Sequence, residues 1–580
     1  MNSILAIDRG CRAPPDESGP PKVWARFQRL TPHLLLAITT LGGVLRAYQI
    51  GDQGLWLDEA FSVWLAQRPV GEMIDWIVRI DQHPPLYYLL LHLWMSLGRD
   101  EIAVRMLSAL CGTLTIPVMY LLGHRLADDG VGLLAALILA VSPFHVRFAQ
   151  EARMYTLLTL NASLALYALT RLLTDARSAE LSLGQQLVDL RLARRVARTA
   201  QGEAVPEGED HPDDPQEPYR HPDACISRRW LPLRAIKTDL AWLGYILFTA
   251  ATLFSHNTAI LFPVATNVLV LGLLVAQRRP HPSASPMVPL APPSPRNWAL
   301  AQAGVFLLWS PWLAGFVAQS AGVYQEFWIP PPTLETVAGT LATFLSAFLP
   351  PQIGWLRAAW VLYAGLALLG LIRLWRQPGR LALLLTVFLT PFAGELLISL
   401  RRPIFYTRTL IWASLPLYLV LAAGIGRLRS RACALAATLM LVVVNGVSLR
   451  AYYADFQKEQ WDDAAALVAQ RAAPADLILF NATWVQIPFD YYFHTYNRDV
   501  AEHGAPVDLF DRGVLEPRMT TSDLPRLRTL IRDHGRVWLV YSHDWYTDPQ
   551  GLIPSALEEK LGVREQWDFH GLQIRLYAAQ

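Results

Sequence analysis

Charge is what this chain has least of. Asp, Glu, Lys and Arg make up 17% of its 580 residues, where soluble domains carry roughly 25%. With a hydrophobic content of 53%, that shortfall excludes a purely soluble protein and leaves a polytopic membrane protein with a soluble part. Cysteine is scarce too. Cys11, Cys111, Cys225 and Cys433 show no pairing pattern and fall in expected spans or on the expected cytoplasmic side, so neither a disulfide nor a metal knuckle is expected. A net charge of +2 is too small to point to nucleic acid as a partner. The first 30 residues are polar, without the apolar run of a cleaved signal peptide.

What the chain has instead is long apolar runs. A helix crossing the hydrocarbon core needs about 20 mostly apolar residues. Candidate spans are 32–50, 103–123, 131–148, 154–173, 238–254, 258–276, 297–318, 356–375, 380–399, 409–426 and 432–450, about 11 helices in all. LYYLLLHLWMSL (86–97) is apolar but short and reads as a helix lying in the interface. The segment 338–349 reads either way.

Lys and Arg set the orientation. GHRLADD (123–129), the segment 174–237, QRRPH (277–281), RLWRQPGR (373–380) and GRLRSR (426–431) share the N-terminal side, which is therefore expected to be cytoplasmic. Residues 1–31 form a tail on that side. Segment 174–237 is first arginine-rich (RLARRVART), then acidic and proline-rich (EGEDHPDDPQEPYRHPD), and reads as a disordered cytoplasmic insert. The outer side receives 51–102, 148–153, 255–257, 319–355, 400–408 and everything after 451. SLRRPIFYTR (399–408) breaks the positive-inside trend with Arg401, Arg402 and Arg408, and such charges usually have a specific partner.

Residues 451–580 change character. EQWDDAAALVAQ and IPSALEEKL read as helices, ADLILFN and RVWLVYS as strands, so a small extracytoplasmic α/β domain is expected. It has no Gly-rich phosphate loop, which argues against nucleotide binding. The fold class is an α-helical polytopic bundle, residues 32–450, with this domain appended.

The unusual polar residues gather on the expected outer face. Asp58 and Glu59 sit in the otherwise aromatic and apolar stretch GLWLDEAFSVWLA (54–66). DQHPPLYY (81–88) brings His83, Arg105 opens the second span, and SPFHVRFAQEARMY (142–155) brings Glu151, Arg153 and Tyr155. His256 and Asn257 cap a further turn. Each has a plain structural reading: Arg105 and Arg153 can snorkel at helix ends, and His256 reads first as a capping or packing residue. Their convergence on one leaflet, from distant loops, favours a site.

The DE pair, then HPPL, then an arginine opening the next span, then S-P…QEAR-x-Y, resembles membrane glycosyltransferases of the GT-C fold. The branch it is most similar to uses polyprenyl-phosphate sugars and includes protein O-mannosyltransferase-like and aminoarabinose-transferase-like enzymes. The resemblance covers roughly 30–430 and is strongest over 50–160. It implies an acceptor hydroxyl (on protein, lipid or glycan) attacking the anomeric carbon while the lipid phosphate leaves. Asp58 would be the general base, with Glu59 orienting acceptor, base or metal. Arg105, Arg153, Tyr155, Arg402 and Arg408 would hold the phosphate, arginine suiting two phosphate oxygens at once. His83, Glu151 and His256 would contact substrate or a divalent metal ion, which the resemblance leaves open. It also points to a bacterial plasma membrane, with an endoplasmic-reticulum setting as the alternative, which the sequon Asn481-Ala482-Thr483 is too weak to decide. A transporter or lipid flippase is the main rival reading, and a scaffold displaying the terminal domain the other. Transporters, however, favour internal repeats and mid-span ionisable groups, and a scaffold leaves the outer acids and arginines unexplained.

Overall fold

The computed structural model describes residues 22–174, 231–277, 290–322, 329–350, 358–511 and 517–579. Helices stand where the apolar runs were read. Among the described residues, eight are long and apolar enough to cross a membrane: Leu30–Ala47, Glu101–Leu126, Tyr155–Thr174, Asn257–Gln277, Pro295–Ala321, Ala358–Trp375, Pro378–Ser399 and Arg431–Asp455. A ninth segment is a pair, Asp129–Ala140 and Pro143–Ala149, bent by 58°. The bend falls where Pro143 disfavours helix in the residue before it, and Ser142 Oγ caps the second half by accepting from His145 N at 3.4 Å. The runs at 238–254 and 409–426 are shorter apolar helices, Asp239–Leu253 and Ile411–Ile425.

The helices pack by close backbone approach. A Cβ on Gly123 would meet the Cα of Gly132 at 2.6 Å, so helices Glu101–Leu126 and Asp129–Ala140 touch where both lack side chains. The short run at 86–97 forms the helix Leu86–Trp94. Tyr87, Tyr88 and Leu91 are buried on the bundle, while Leu93 and Leu97 are exposed. Helix Leu334–Ser346 occupies the segment that reads either way. Of the expected insert, 175–230 lies outside the described residues, and helix Leu231–Leu253 begins within its last part. Among the described residues Cys111 and Cys433 are free thiols; Cys11 and Cys225 lie outside them.

The C-terminal part is a five-stranded sheet flanked by helices. The strands are β1 (Leu477–Asn481), β2 (Ala501–Ala505), β3 (Arg536–Ser542), β4 (Gly562–Phe569) and β5 (Leu572–Ala578), in spatial order β2-β1-β3-β5-β4. β2, β1 and β3 run parallel, while β5 and β4 form an antiparallel hairpin on the far side of β3. β1 is buried along its whole length, which explains its unbroken apolar sequence. The strands β2, β4 and β5 were not read from sequence; β4 lies at an edge and is mostly exposed, so its residues show no apolar face. The sequon at Asn481 is closed: the side chain is fully buried and donates to Ser542 O at 2.9 Å.

This domain sits on the loop that carries the acidic pair. Phe510 packs against Trp64 and Trp76, with ring centroids 5.2 and 4.7 Å away. Trp64 also stacks on Phe61 at 5.9 Å. The aromatic surroundings of Asp58 and Glu59 therefore form a joint between bundle and domain.

Candidate active site

Asp58 and Glu59 occupy the first turn of helix Leu57–Ala66. Successive residues of a helix point about 100° apart, and the two carboxylates accordingly enter different environments. Asp58 stays partly open, 24% exposed, and its Oδ2 accepts from Arg408 Nη1 at 2.8 Å. Glu59 is fully buried.

Glu59 is saturated. Its Oε1 accepts from Arg105 Nε and from the backbone N–H of Ala152, each at 2.8 Å. Its Oε2 accepts from Arg105 Nη2 at 2.7 Å and from Lys458 Nζ at 3.0 Å. Burial alone would raise its pKa; Arg105 and Lys458 outweigh burial and hold it at about 2. Arg105 is equally committed, because Nη1 donates to the carbonyls of Ile50 and Gln53, and Nη2 also to that of Gly54, all at 2.7 to 2.8 Å. With both contacts to Glu59, all five of its N–H groups are used. The expected duties of Glu59 toward acceptor or metal, and of Arg105 toward phosphate, therefore do not fit this geometry. Together they form a buried strut that ties the Asp58 helix to the turn carrying Arg153.

That turn lies between helix Pro143–Ala149 and the span Tyr155–Thr174. Arg153 is 2% exposed and points back to the Asp58 helix. Its Nη1 donates to Asp58 O and Ser62 Oγ at 3.2 Å each and lies 3.5 Å from Tyr88 OH, while Nε has no hydrogen-bond partner among the described residues. Burial pushes the Asp58 carboxyl up, but Arg153 and Arg408, helped by His83, hold it below the usual carboxylate range. Arg408 also lies over the rings of Tyr406 and Tyr155, at 4.9 and 5.6 Å.

Two histidines complete the cluster, their ring centroids 5.0 Å apart. His83 Nδ1 is 2.9 Å from Asp81 Oδ1, which fixes Nδ1–H as donor and leaves Nε2 as the acceptor. His256 Nδ1 accepts from the backbone N–H of Thr258 at 3.2 Å, so it does cap its turn, and its proton sits on Nε2. Burial lowers the pKa of both, in His256 strongly, so both rings are neutral near pH 7.

The structure thus brings together Asp58, His83, Arg153, Tyr155, His256 and Arg408 at one end of the bundle. Glu151 is turned away: its Oε1 accepts from Arg147 Nε at 3.1 Å, and that guanidinium lies 4.7 Å over Phe456. Arg402 donates to Ser320 O at 2.6 Å, and Arg401 is exposed. Three residues at the cluster went unnoticed in the sequence. Asp81 and Tyr88 lie inside the quoted DQHPPLYY, where the two-residue spacing of Asp81 and His83 was the available signal. Lys458 carried none, since its partner Glu59 is 399 residues away. Among the described residues, the one group of three side chains placed to hold a metal is Asp490, His494 and Glu502, in the C-terminal domain. His83, Glu151 and His256 do not form such a set.

A long-helix membrane bundle with a polar rim and a rim-bound α/β domain defines the class, and the chain has the GT-C fold. Residues 82–185 match the family model described as dolichyl-phosphate-mannose-protein mannosyltransferase. Among solved structures, the chain is similar to ArnT from Cupriavidus metallidurans in the apo state, with TM-score 0.55, 11% identity and coverage of 96% of this chain and 98% of that one. ArnT bound to undecaprenyl phosphate gives TM-score 0.53 at 12% identity, with the same coverage. The archaeal oligosaccharyltransferase AglB from Archaeoglobus fulgidus, in complex with an inhibitory peptide and a dolichol-phosphate, gives TM-score 0.50 at 10% identity, covering 96% of this chain and 74% of that one. No curated protein matches the sequence.

Proposed function

We propose that the chain is an integral-membrane glycosyltransferase that moves a sugar from a polyprenyl-phosphate donor to an acceptor hydroxyl at the extracytoplasmic face. The observation that carries this reading is the convergence of one partly open carboxylate, Asp58, with two arginines, Arg153 and Arg408, at a single rim of the bundle. A transfer of this kind needs a base for the hydroxyl proton and fixed positive charge for the departing phosphate. The family match over 82–185 and the GT-C likeness, which includes a relative holding undecaprenyl phosphate, support the same chemistry.

In the proposed cycle the lipid phosphate takes up guanidinium N–H groups of Arg408 and Arg153 that now face Asp58. Arg153 Nε, without a hydrogen-bond partner among the described residues, is one ready donor. Relieved of part of this positive field, the Asp58 carboxylate becomes the stronger base. It accepts the acceptor's proton as the hydroxyl oxygen bonds to the anomeric carbon and the bond to the phosphate oxygen breaks. The leaving phosphate keeps its electron pair and stays on the arginines. His83 presents its Nε2 lone pair and His256 its Nε2–H, suited to sugar or acceptor hydroxyls.

The basic loops lie at the opposite end, where Arg373 pairs with Asp128 at 2.6 Å and Arg380 donates to Leu126 O. Positive-inside bias supports reading that end as cytoplasmic, and the proposed orientation has the sheet domain, 451–580, outside a plasma membrane. The test is transfer by the purified protein from polyprenyl-phosphate sugars to a panel of hydroxyl acceptors. Glycoside formed by the wild type and lost in Asp58→Asn supports the reading; lipid scrambling without glycoside would favour a flippase.

A further inference from the structure

The helix that carries Asp58 begins without a cap of its own. Trp56, at the N-cap position, has no side chain able to accept from the first N–H groups. The missing acceptors come from the far end of the chain. Glu459 Oε2 accepts from Leu57 N at 3.2 Å and from Trp461 Nε1 at 2.7 Å. Tyr492 OH accepts from Leu55 N at 2.7 Å and donates to Glu101 Oε1 at 2.9 Å. Both residues lie beyond the last long helix, which ends at Asp455.

Between them and the bundle stands Lys458, 6% exposed at its side chain. Its Nζ donates to Glu59 Oε2 at 3.0 Å and to Gln150 O at 2.9 Å. Glu59 is the neighbour of Asp58, and Gln150 heads the turn that leads to Arg153. One ammonium group thus bridges the helix that carries Asp58 and the turn that carries Arg153. The backbone follows suit: Lys458 N donates to Gln53 Oε1 at 2.6 Å, and Gln53 Nε2 donates to Phe456 O at 3.0 Å. Burial pushes the Lys458 pKa down to about 8, Glu59 opposing and Arg105 adding to the fall. A buried ammonium is tolerable here because Glu59 is present to receive it.

We propose that Lys458 is a positioning residue, and that docking of the C-terminal domain through the 456–461 link sets the Asp58 helix against the Arg153 turn. With the domain undocked, Leu55 and Leu57 lose their acceptors and Glu59 loses one of its two cations. The helix start then frays, and Asp58 moves relative to Arg153. The domain becomes part of the machinery that assembles the site, beyond any part it plays in acceptor recognition. This inference rests on the transferase reading for its kinetic test, but not for its structural one.

The test uses the full-length protein in nanodiscs, with Lys458→Met, Lys458→Arg, Tyr492→Phe and, as reference, Asp58→Asn. Hydrogen exchange is read over 54–60 and 150–153, with β1 and β3 as internal standards. Lys458→Met is expected to lower kcat about 100-fold, since a small misplacement of reacting groups costs that much, with the donor KM little changed. Its exchange over 54–60 should rise at least about tenfold while the sheet is unaffected. Lys458→Arg, which keeps charge and donors, should recover most of both. Tyr492→Phe, which removes the acceptor of Leu55 N and the donor to the Glu101 carboxylate, should raise exchange over 54–60 at least about threefold, and it decides the matter should Lys458→Met fail to fold. Unchanged kcat and unchanged exchange in Lys458→Met and Tyr492→Phe, beside an inactive Asp58→Asn, would overturn the coupling and leave the transferase reading standing. A wild type that transfers no sugar would overturn that reading, and the exchange data would still decide the coupling.

Discussion

The Asp58 carboxylate lies 2.8 Å from Nη1 of Arg408, a residue 350 positions further along the chain. An acid this firmly paired is a weak base while the pair persists, because the guanidinium that holds it ionised also lowers its proton affinity. The phosphate of a lipid-linked donor would compete for the same N–H groups. Binding of the first substrate and activation of the base are thereby one event in the proposed mechanism.

Replacing Arg408 should therefore hurt donor handling more than fold. Arg408→Gln is expected to reduce transfer about 100- to 1,000-fold, the range seen when one donor to a developing anion is removed. Arg402→Gln, whose parent donates to Ser320 O on a neighbouring helix, should stay within about threefold of wild type, as a change outside the site does. Steady-state transfer against donor concentration separates the two.

Asp58→Asn should lose about 100- to 10,000-fold in kcat, the usual worth of a general base, while still binding polyprenyl phosphate. The pH profiles carry a sign. In the free protein the Asp58 pKa is depressed, so the base is ionised above the ordinary carboxylate range and is lost only as pH falls through the depressed value. The acid limb of kcat/KM, which reports the free enzyme, should lie low. In kcat, with phosphate on the arginines, the limb should move to higher pH. Coincident limbs would count against the competition for Arg408.

Glu59 should matter for stability. Glu59→Ala strands two buried cations, and removing one partner of such a group costs about 3–5 kcal/mol, readable as a lowered unfolding temperature in detergent. Its folded pKa, about 2 against an ordinary 4.5, is depressed. The stabilisation it gives is therefore complete above about pH 4.5 and disappears as pH falls toward about 2. Thermal unfolding followed across that window in wild type and Glu59→Ala should converge at the acid end.

Much of the bundle was legible because a span needs a long apolar run, and every such run carries a helix. The residues at the rim were legible as types, since acids, histidines and arginines beside hydrocarbon stand out. Their partition was not. Asp58 and Glu59 are adjacent letters, and only the helix twist, with Arg105 and Lys458 on one side and Arg408 on the other, separates an open carboxylate from a saturated one. Arg402 and Arg408 likewise read alike until the turn at 400–410 sends one to Ser320 and the other to Asp58. The edge strand β4 was illegible for another reason: an exposed edge strand has no buried face to impose alternation, whereas β5 (LQIRLYA) does alternate and carried a signal that was missed.

The proposed site at Asp58 is tested most directly by a structure of the full chain with polyprenyl phosphate bound. The phosphate is predicted within about 3 Å of guanidinium nitrogens of both Arg153 and Arg408, with the Asp58–Arg408 contact opened beyond hydrogen-bonding distance. A phosphate held at the Arg373 end of the bundle, or at this rim with the Asp58–Arg408 pair still closed, would contradict it.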